Sequence, residues 1–204
     1  MSARRTIDVS RLPDISLTPS ALFWWGTVGL ILIEATTFVI MIATAIYLRL
    51  TVTDWPPPTI PPPDLRWGVA GLVLILASCL PLRAAEKIAA RGHLEDTPRI
   101  RALLYVTIAI TALFIAVRFF EFPGTHTKWN SSAYGSIVWT ILGLHLLEGV
   151  AGFLENGVLA AVLKIGPVAH KQFLDVRGCA IFWYFIALGW IPLFLIVYVY
   201  PRLT

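Results

Sequence analysis

The segment LILIEATTFVIM, Leu30–Met41, is uncharged apart from one carboxylate, that of Glu34. An ionised carboxylate at the centre of a bilayer costs roughly 2.5–3.5 kcal/mol on insertion scales. The segment lies within the apolar block 20–49. At ~1.5 Å rise per residue such a block is longer than the ~30 Å hydrocarbon core of a membrane. We therefore predict a membrane-spanning helix that carries a buried carboxyl group midway along its length.

The composition excludes a soluble globular domain. Of the 204 residues, 57% are hydrophobic and 14% are charged, and the mean hydropathy is +0.76. A soluble domain would need more charge to cover its surface, and here the apolar residues form long blocks rather than periodic stripes. We therefore predict an all-α polytopic membrane protein, with an N-terminal arm over residues 1–19 and a five-transmembrane-helix bundle over 20–204. The predicted helices span about 20–49, 66–90, 99–120, 131–163 and 174–200.

The distribution of Lys and Arg predicts the orientation of this bundle. Eleven of the 16 basic residues fall in the N-terminal arm and in the second and fourth connections, and five fall on the other side. Basic residues are enriched on the cytoplasmic side of membrane proteins. We therefore expect the N-terminus inside and the C-terminus outside, and we interpret the net charge of +4 as a topology signal rather than a sign of a nucleic-acid partner.

The connections and the glycines carry further signals. The first connection, TVTDWPPPTIPPPDLR, holds six prolines and predicts a stiff, extended segment. Asn130 or Ser131 is the expected N-cap of the fourth helix. Pairs of small residues favour close helix packing, and three such pairs occur: Gly26 and Gly29, Gly68 and Gly71, and Gly149 and Gly152.

Ionisable residues inside membrane spans are the first candidates for function. Glu34 lies in the first predicted helix, and His145 and Glu148 are three residues apart on the fourth, so that they share a face. These three residues predict a proton path, an ion or transport site, or interhelical hydrogen bonds worth roughly 0.6–2 kcal/mol each. Arg118 and Glu121 are also three apart and predict a structural ion pair. Because desolvation disfavours a charged carboxylate, we expect Glu34 to be largely neutral at pH 7.

We expect no metal site and no redox centre in this chain. Bundle di-iron sites need a Glu-x-x-His motif on each of two helices, whereas here His-x-x-Glu occurs once, at His145 and Glu148. The sequence offers no pair of buried histidines on different helices to ligate haem. Cys79 and Cys179 fall inside predicted spans, and we interpret them as small buried residues rather than as partners in a disulfide.

Three segments resemble subunit III of the haem-copper cytochrome c oxidases. The first is WGTVGLILIEATTF, the second is FFEFPGTHTKWNSSAYGSIVWTILGLHLLEGVAG, and the third is FWYFIALGWIPLFLIVYVY. They are spread along the chain between residues 25 and 200, and the chain is similar to the shorter, five-helix form of this family. The residues that match the family motifs are Gly26, Glu34, Glu121, Tyr134, Gly135, Ser136, Gly143, His145, Trp183, Phe185 and Trp190.

Several positions depart from the family pattern and indicate a divergent member. Glu148 stands where the family usually has a second His, and Arg118 stands where Gln is common. Tyr184 and Ala187 replace the usual His and Asp of the last helix, and Ile33 replaces a small Ser.

The resemblance implies a non-redox accessory subunit of a haem-copper terminal oxidase, which in aerobic respiration oxidises cytochrome c and reduces O2. It implies roles in assembly, lipid binding and proton uptake, and bound phospholipid as a ligand. It also implies that haem and copper lie in the partner subunits I and II and that the complex lies in the bacterial cytoplasmic membrane. One alternative is an accessory protein of a nitric oxide reductase of the same family. Another is a small transporter that uses Glu34, His145 and Glu148, although the chain shows no inverted repeat.

Overall fold

The computed structural model describes residues 22–166, 168 and 170–203. Within them the chain forms five helices that are long and apolar enough to cross a membrane, and no strand. These helices are α1 (Leu22–Thr51), α2 (Leu65–Ala89), α3 (Thr97–Glu121), α4 (Ala133–Ile165) and α5 (His170–Phe194). The prediction of an all-α, five-helix membrane protein is confirmed. The predicted N-terminal arm and the predicted start of the first helix lie outside the described residues.

Local sequence explains where several helices begin and end. Helix α2 is followed by a turn that closes at Gly92, whose φ of +74° is readily adopted only by glycine. Helix α3 begins at Thr97, with Pro98 in its first turn. The N-cap of α4 is Ser132, whose hydroxyl accepts a hydrogen bond from the Gly135 N–H at 3.1 Å. The prediction of Asn130 or Ser131 as this cap is therefore wrong.

The last transmembrane helix begins earlier and ends less regularly than predicted. It begins at His170 rather than near 174. After Phe194 the chain makes a π turn, Leu195–Val199, before a last short helix, α6 (Tyr200–Leu203). A π turn inserts one extra residue into the helical repeat and re-aims the side chains that follow it. Tyr198, in this turn, points into the core.

Helix α1 lies at the periphery of a tighter four-helix core. Helix α2 packs along α3 and α5, and α4 fills the space between α3 and α5. Helix α1 packs against α4 and α5 and buries three side chains, those of Phe38, Met41 and Ala45. Most of its other apolar side chains are exposed, as expected for a helix that faces lipid or a partner helix.

Three of the six predicted packing glycines lie directly under an aromatic ring. A Cβ atom at each would lie less than 3.0 Å from a ring atom, in the pairs Gly68 with Tyr198, Gly149 with Phe114, and Gly152 with Trp183. A Cβ at Gly71 would make an ordinary contact, 3.6 Å from the Glu121 Oε2. At Gly26 and Gly29 a Cβ would have no neighbour within 4 Å among the described residues, so the prediction of close packing is wrong for that pair within this part of the chain.

The proline-rich first connection folds back onto the bundle. Its chain turns at Pro57–Ile60, where the Ile60 N–H donates to the Pro57 carbonyl at 2.9 Å. Trp55 is buried, with its ring edge-on to that of Tyr134 at a centroid distance of 5.1 Å. The Pro63 carbonyl accepts a hydrogen bond from Arg202 of α6. The prediction of a stiff, extended segment is therefore wrong, because burial of Trp55 and these bonds hold the connection against the end of the bundle.

Candidate functional site

A fully buried polar cluster joins α3, α4 and the end of α5. The Arg118 guanidinium donates to the Glu121 Oε2 at 2.6 Å, and both side chains are inaccessible to solvent. The Tyr198 hydroxyl donates to the other Glu121 oxygen, Oε1. The second guanidinium nitrogen lies 2.6 Å from the His145 Nδ1. The expected pairing of Arg118 with Glu121 is present, and it belongs to a larger network that the sequence did not reveal.

Aromatic rings complete the environment of the buried guanidinium. The Arg118 Cζ lies 3.9 Å from the centroid of the Trp190 ring and 5.0 Å from that of Phe114. A cation over an aromatic face gains electrostatic energy, and the gain is larger where water is excluded. A buried charge is tolerated only when it is paired and hydrogen-bonded. These partners together make a buried arginine compatible with the membrane interior.

The histidine of this network is fixed in one tautomer by its neighbours. A guanidinium only donates hydrogen bonds, so the His145 Nδ1 must be the acceptor and the ring must carry its proton on Nε2. That Nε2 lies 3.4 Å from the Ile186 carbonyl oxygen. The ring also stacks on Trp190 at a centroid distance of 4.3 Å. His145 is thus a neutral residue that connects α4 with α3 and α5.

A second polar cluster lies between α1 and α4 and consists of two carboxyl groups. The side chains of Glu34 and Glu148 face each other across the contact of α1 with α4, and both residues are half-buried. The Glu148 Oε2 is itself buried and has no hydrogen-bond partner among the described residues. Ionised carboxylates are acceptors only, so these two side chains can form a direct hydrogen bond only when one of them carries a proton. We refer to Glu34 and Glu148 below as the carboxyl pair.

His145 and Glu148, which sequence spacing grouped together, have different partners. Residues three apart on a helix differ by about 60° around its axis, since each residue advances by 360°/3.6. On α4 this angle directs His145 towards Arg118 in the core and Glu148 towards Glu34 on the peripheral helix. The structure therefore does not bring Glu34, His145 and Glu148 together as one site.

A groove of about 600 Å³ between α1, α4 and α5 begins one turn from Glu34, at Leu30. Glu155 and Asp175 line this groove, and the Cys179 thiol donates to the Glu155 Oε1 at 3.1 Å. Cys79 and Cys179 are both free thiols.

Three of the motif residues hold the start of α4 against its preceding loop. A Cβ at Gly135 would overlap the Lys128 carbonyl oxygen, so this position admits only glycine without a shift of the loop. The Ser136 hydroxyl donates to the Trp129 carbonyl at 2.6 Å. Tyr134 is buried against the first connection. The contacts of these residues serve the architecture of the loop.

The two motif tryptophans of α5 also have structural contacts. The Trp183 Nε1 donates to the Ser78 hydroxyl of α2 at 2.8 Å, and its ring covers Gly152. Trp190 lies under the guanidinium of Arg118. Tyr184, which stands in place of a family histidine, donates to the Glu86 Oε2 at 3.0 Å.

No group of three or more His, Cys, Asp or Glu side chains that could hold a metal ion occurs among the described residues. The polar clusters offer proton-accepting and hydrogen-bonding groups instead.

Comparison with known proteins gives several relatives of similar length. No family model matches the chain. It is 26% identical over 149 residues to a Nocardia farcinica protein named probable cytochrome c oxidase subunit 3, with 71% of each chain covered. Proteins of the same name are similar in Mycobacterium leprae, at 26% over 152 residues (71% of this chain, 70% of the relative), and in Mycobacterium tuberculosis H37Rv, at 27% over 155 residues (71% of each).

Proposed function

Because the chain is related to the subunit III family of cytochrome c oxidases, we propose that it is a non-redox accessory subunit of a haem-copper terminal oxidase. In this role it supports assembly of the complex and the uptake of protons that the complex consumes or translocates. Haem and copper belong to the partner subunits I and II. The protein is a multi-pass membrane protein, and we place it in the bacterial cytoplasmic membrane.

The carboxyl pair is the observation that carries the proton-uptake part of this proposal. Two adjacent carboxyl groups can share one proton between them, and the mutual repulsion of two carboxylates opposes loss of that proton. Such a pair can bind or release a proton at the membrane-facing side of the bundle. Glu34 sits on the peripheral helix α1, outside the tight four-helix core, so a change in its protonation leaves the core contacts intact.

The role in assembly is supported by the surface of the bundle. Large apolar side chains are exposed along α1, including Leu32, Ile33 and Val39, each at least 60% exposed. Helix association inside a membrane depends on packing rather than on burial of apolar surface from water. We infer that partner helices or lipids cover this face in the complex.

The test of the carboxyl pair uses Glu34→Gln and Glu148→Gln, with Glu155→Gln as a matched control because Glu155 is an exposed carboxylate on the same helix as Glu148. We expect both pair variants to assemble with the oxidase and to slow proton uptake during turnover, measured in proteoliposomes with a pH-sensitive dye. The control is expected to behave as the wild type.

Infrared spectroscopy tests the shared proton directly. A carboxylic C=O band at pH 7 that disappears in Glu34→Gln or Glu148→Gln would support the protonated pair. Absence of this band, together with normal proton uptake in both variants, would contradict the proposed role and leave the pair as a structural contact.

Membership of the complex has its own test. After extraction in a mild detergent, we expect mass spectrometry of the purified protein to find haem-copper subunits I and II in fixed ratio. A stable chain without any haem-copper partner would contradict the accessory-subunit proposal.

A further inference from the structure

The groove between α1, α4 and α5, which we call the Glu155 groove, is acidic. Its volume is about 600 Å³, and its described lining holds two carboxylates, those of Glu155 and Asp175, and no basic side chain. Neither carboxylate forms an ion pair with a described residue, although Lys171 lies one turn from Asp175 on α5. The printed contact of Glu155 is the hydrogen bond from the neutral thiol of Cys179. The groove therefore presents negative charge that the described part of the chain leaves uncompensated.

The rest of the lining of the Glu155 groove is largely apolar. Leu30, Val158 and Phe182 are among its walls. A carboxylate beside apolar surface in a membrane-spanning region is costly unless a cation pairs with it. The occupant that suits this groove therefore carries a positive charge next to apolar groups.

The groove opens beside the point where α1 begins. Helix α1 begins at Leu22, and Phe23 lines the groove. The Phe23 ring lies over Gly178 of α5, where a Cβ atom would be only 2.6 Å from a ring atom. This contact holds the start of α1 against α5, so the chain that precedes α1 joins the bundle at the edge of the groove.

The sequence that precedes α1 has the chemistry that the groove requires. The N-terminal arm, residues 1–19, lies outside the described residues and contains three arginines and two aspartates: Arg4, Arg5, Arg11, Asp8 and Asp14. Arg11 is the arginine nearest to α1, and it is directly followed by Leu12. Eleven residues separate Arg11 from Leu22, and a chain of this length reaches up to ~36 Å at ~3.3 Å per residue. The arm is therefore long enough to return to the groove.

We propose that the N-terminal arm docks in the Glu155 groove, with the Arg11 guanidinium at the carboxylates of Asp175 and Glu155 and Leu12 against the apolar wall. Covalent attachment beside the groove keeps the arm at a high effective concentration there. Arg11 closes a shorter loop than Arg4 or Arg5 and so loses less chain entropy. The contact does not involve the carboxyl pair, so it is independent of the function proposed above, and its loss should leave proton uptake unchanged.

Disulfide formation in the full chain in nanodiscs tests this contact. Leu12→Cys is combined with Val162→Cys, an exposed position in the groove, in a background with Cys79→Ala and Cys179→Ala. The matched control pairs Leu12→Cys with Leu94→Cys, which is similarly exposed and lies near the start of α5 but outside this groove. After brief oxidation, mass spectrometry of the digested protein should find at least about fivefold more disulfide at position 162 than at position 94, because an arm without a docking site would reach both.

Charge reversal then tests the ion pair. Arg11→Glu and Asp175→Arg should each lower the disulfide at position 162 by about fivefold, the upper end of the usual strength of an exposed ion pair. The two substitutions together should restore it, which also shows that neither variant has simply failed to fold. Arg4→Glu is the matched control in the arm and should leave the disulfide unchanged.

Three results would overturn the proposal. Equal disulfide yields at positions 162 and 94 would mean that the arm does not dock in the groove. Yields that Arg11→Glu leaves unchanged, or that the double reversal fails to restore, would remove the Arg11 ion pair. A disulfide that forms in nanodiscs but not in native membranes would assign the groove to a partner protein instead of the arm.

Discussion

At the scale of single residues, the guanidinium of Arg118 is a fully buried charge, and the folded bundle can accommodate it only through its ion pair and hydrogen bonds. Removing one partner of a buried ion pair typically costs about 3–5 kcal/mol because the other charge is left uncompensated. We therefore expect Arg118→Met to lower the free energy of unfolding by roughly this amount. Titration with sodium dodecyl sulfate in mixed micelles, followed by circular dichroism, measures the change.

Two comparisons separate this effect from a general sensitivity to lost arginines. Arg99 forms an exposed contact with Asp96 at 3.7 Å, so Arg99→Gln should change the free energy of unfolding by less than about 1 kcal/mol. The double variant Arg118→Met with Glu121→Gln removes the orphaned charge and should recover part of the loss. An Arg118→Met variant as stable as wild type would show that the ion pair does not stabilise the bundle.

Sequence spacing found some of these contacts and not others, for a geometric reason. Arg118 and Glu121 share one helix, so their spacing of three residues brings them together. Tyr198 reaches Glu121 from 77 residues away, and its direction depends on the π turn that precedes α6. Residue spacing reports only neighbours on the same helix. The partners of His145 and Glu148 depend on which neighbouring helix each side chain faces. The sequence pattern does not determine those neighbours.

At the scale of helices, the contact between α4 and α5 depends on Gly152, which lies beneath the ring of Trp183. Overpacking a filled core typically costs about 1–3 kcal/mol. Gly152→Ala should therefore lower the free energy of unfolding by about 1–3 kcal/mol, although alanine is the better helix former by about 1 kcal/mol. Thermal unfolding in detergent, monitored by tryptophan fluorescence, measures it.

Gly157 provides the matched control on the same helix. A Cβ at Gly157 has no neighbour within 4 Å among the residues that the structure describes, so Gly157→Ala should be neutral or stabilising by up to about 1 kcal/mol. Equal destabilisation by both substitutions would show that the ring contact at Gly152 is not what makes glycine necessary there.

Hydropathy identified the helices well and their ends less well. Each apolar block had to form a helix, because a helix satisfies its own backbone hydrogen bonds in lipid. Polar residues that flank an apolar block can be helical or not, because water can satisfy their backbone hydrogen bonds. Hydropathy therefore did not reveal that α5 begins at His170, before its apolar block. The proline-rich connection was mispredicted because composition suggests stiffness, whereas burial of Trp55 against Tyr134 folds the segment back. That contact joins residues 79 positions apart, and no local pattern reveals it.

At the scale of the whole molecule, the carboxyl pair and the Arg118 network lie in parts of the bundle that differ in packing. The network ties α3, α4 and the end of α5 together in the core, whereas the pair joins peripheral α1 to α4. A movement of α1 or a substitution in it should therefore alter the contact between Glu34 and Glu148 more than the contacts of the Arg118 network. This division is consistent with a stable scaffold that carries an adjustable proton-binding group at its edge.

The orientation of this bundle in the membrane is the remaining prediction at this scale. The excess of Lys and Arg predicts that the connection between α2 and α3 lies inside and that the loop before α4 lies outside. His93 and Asn130 are exposed in these two segments and can each be replaced by a reporter cysteine in a background that has Cys79→Ala and Cys179→Ala. In sealed right-side-out vesicles, a membrane-impermeant maleimide should label Asn130→Cys at once and His93→Cys only after permeabilisation. Because basic residues resist translocation and acidic ones have little effect, the reverse labelling pattern would mean that another constraint, such as a partner subunit, sets the orientation.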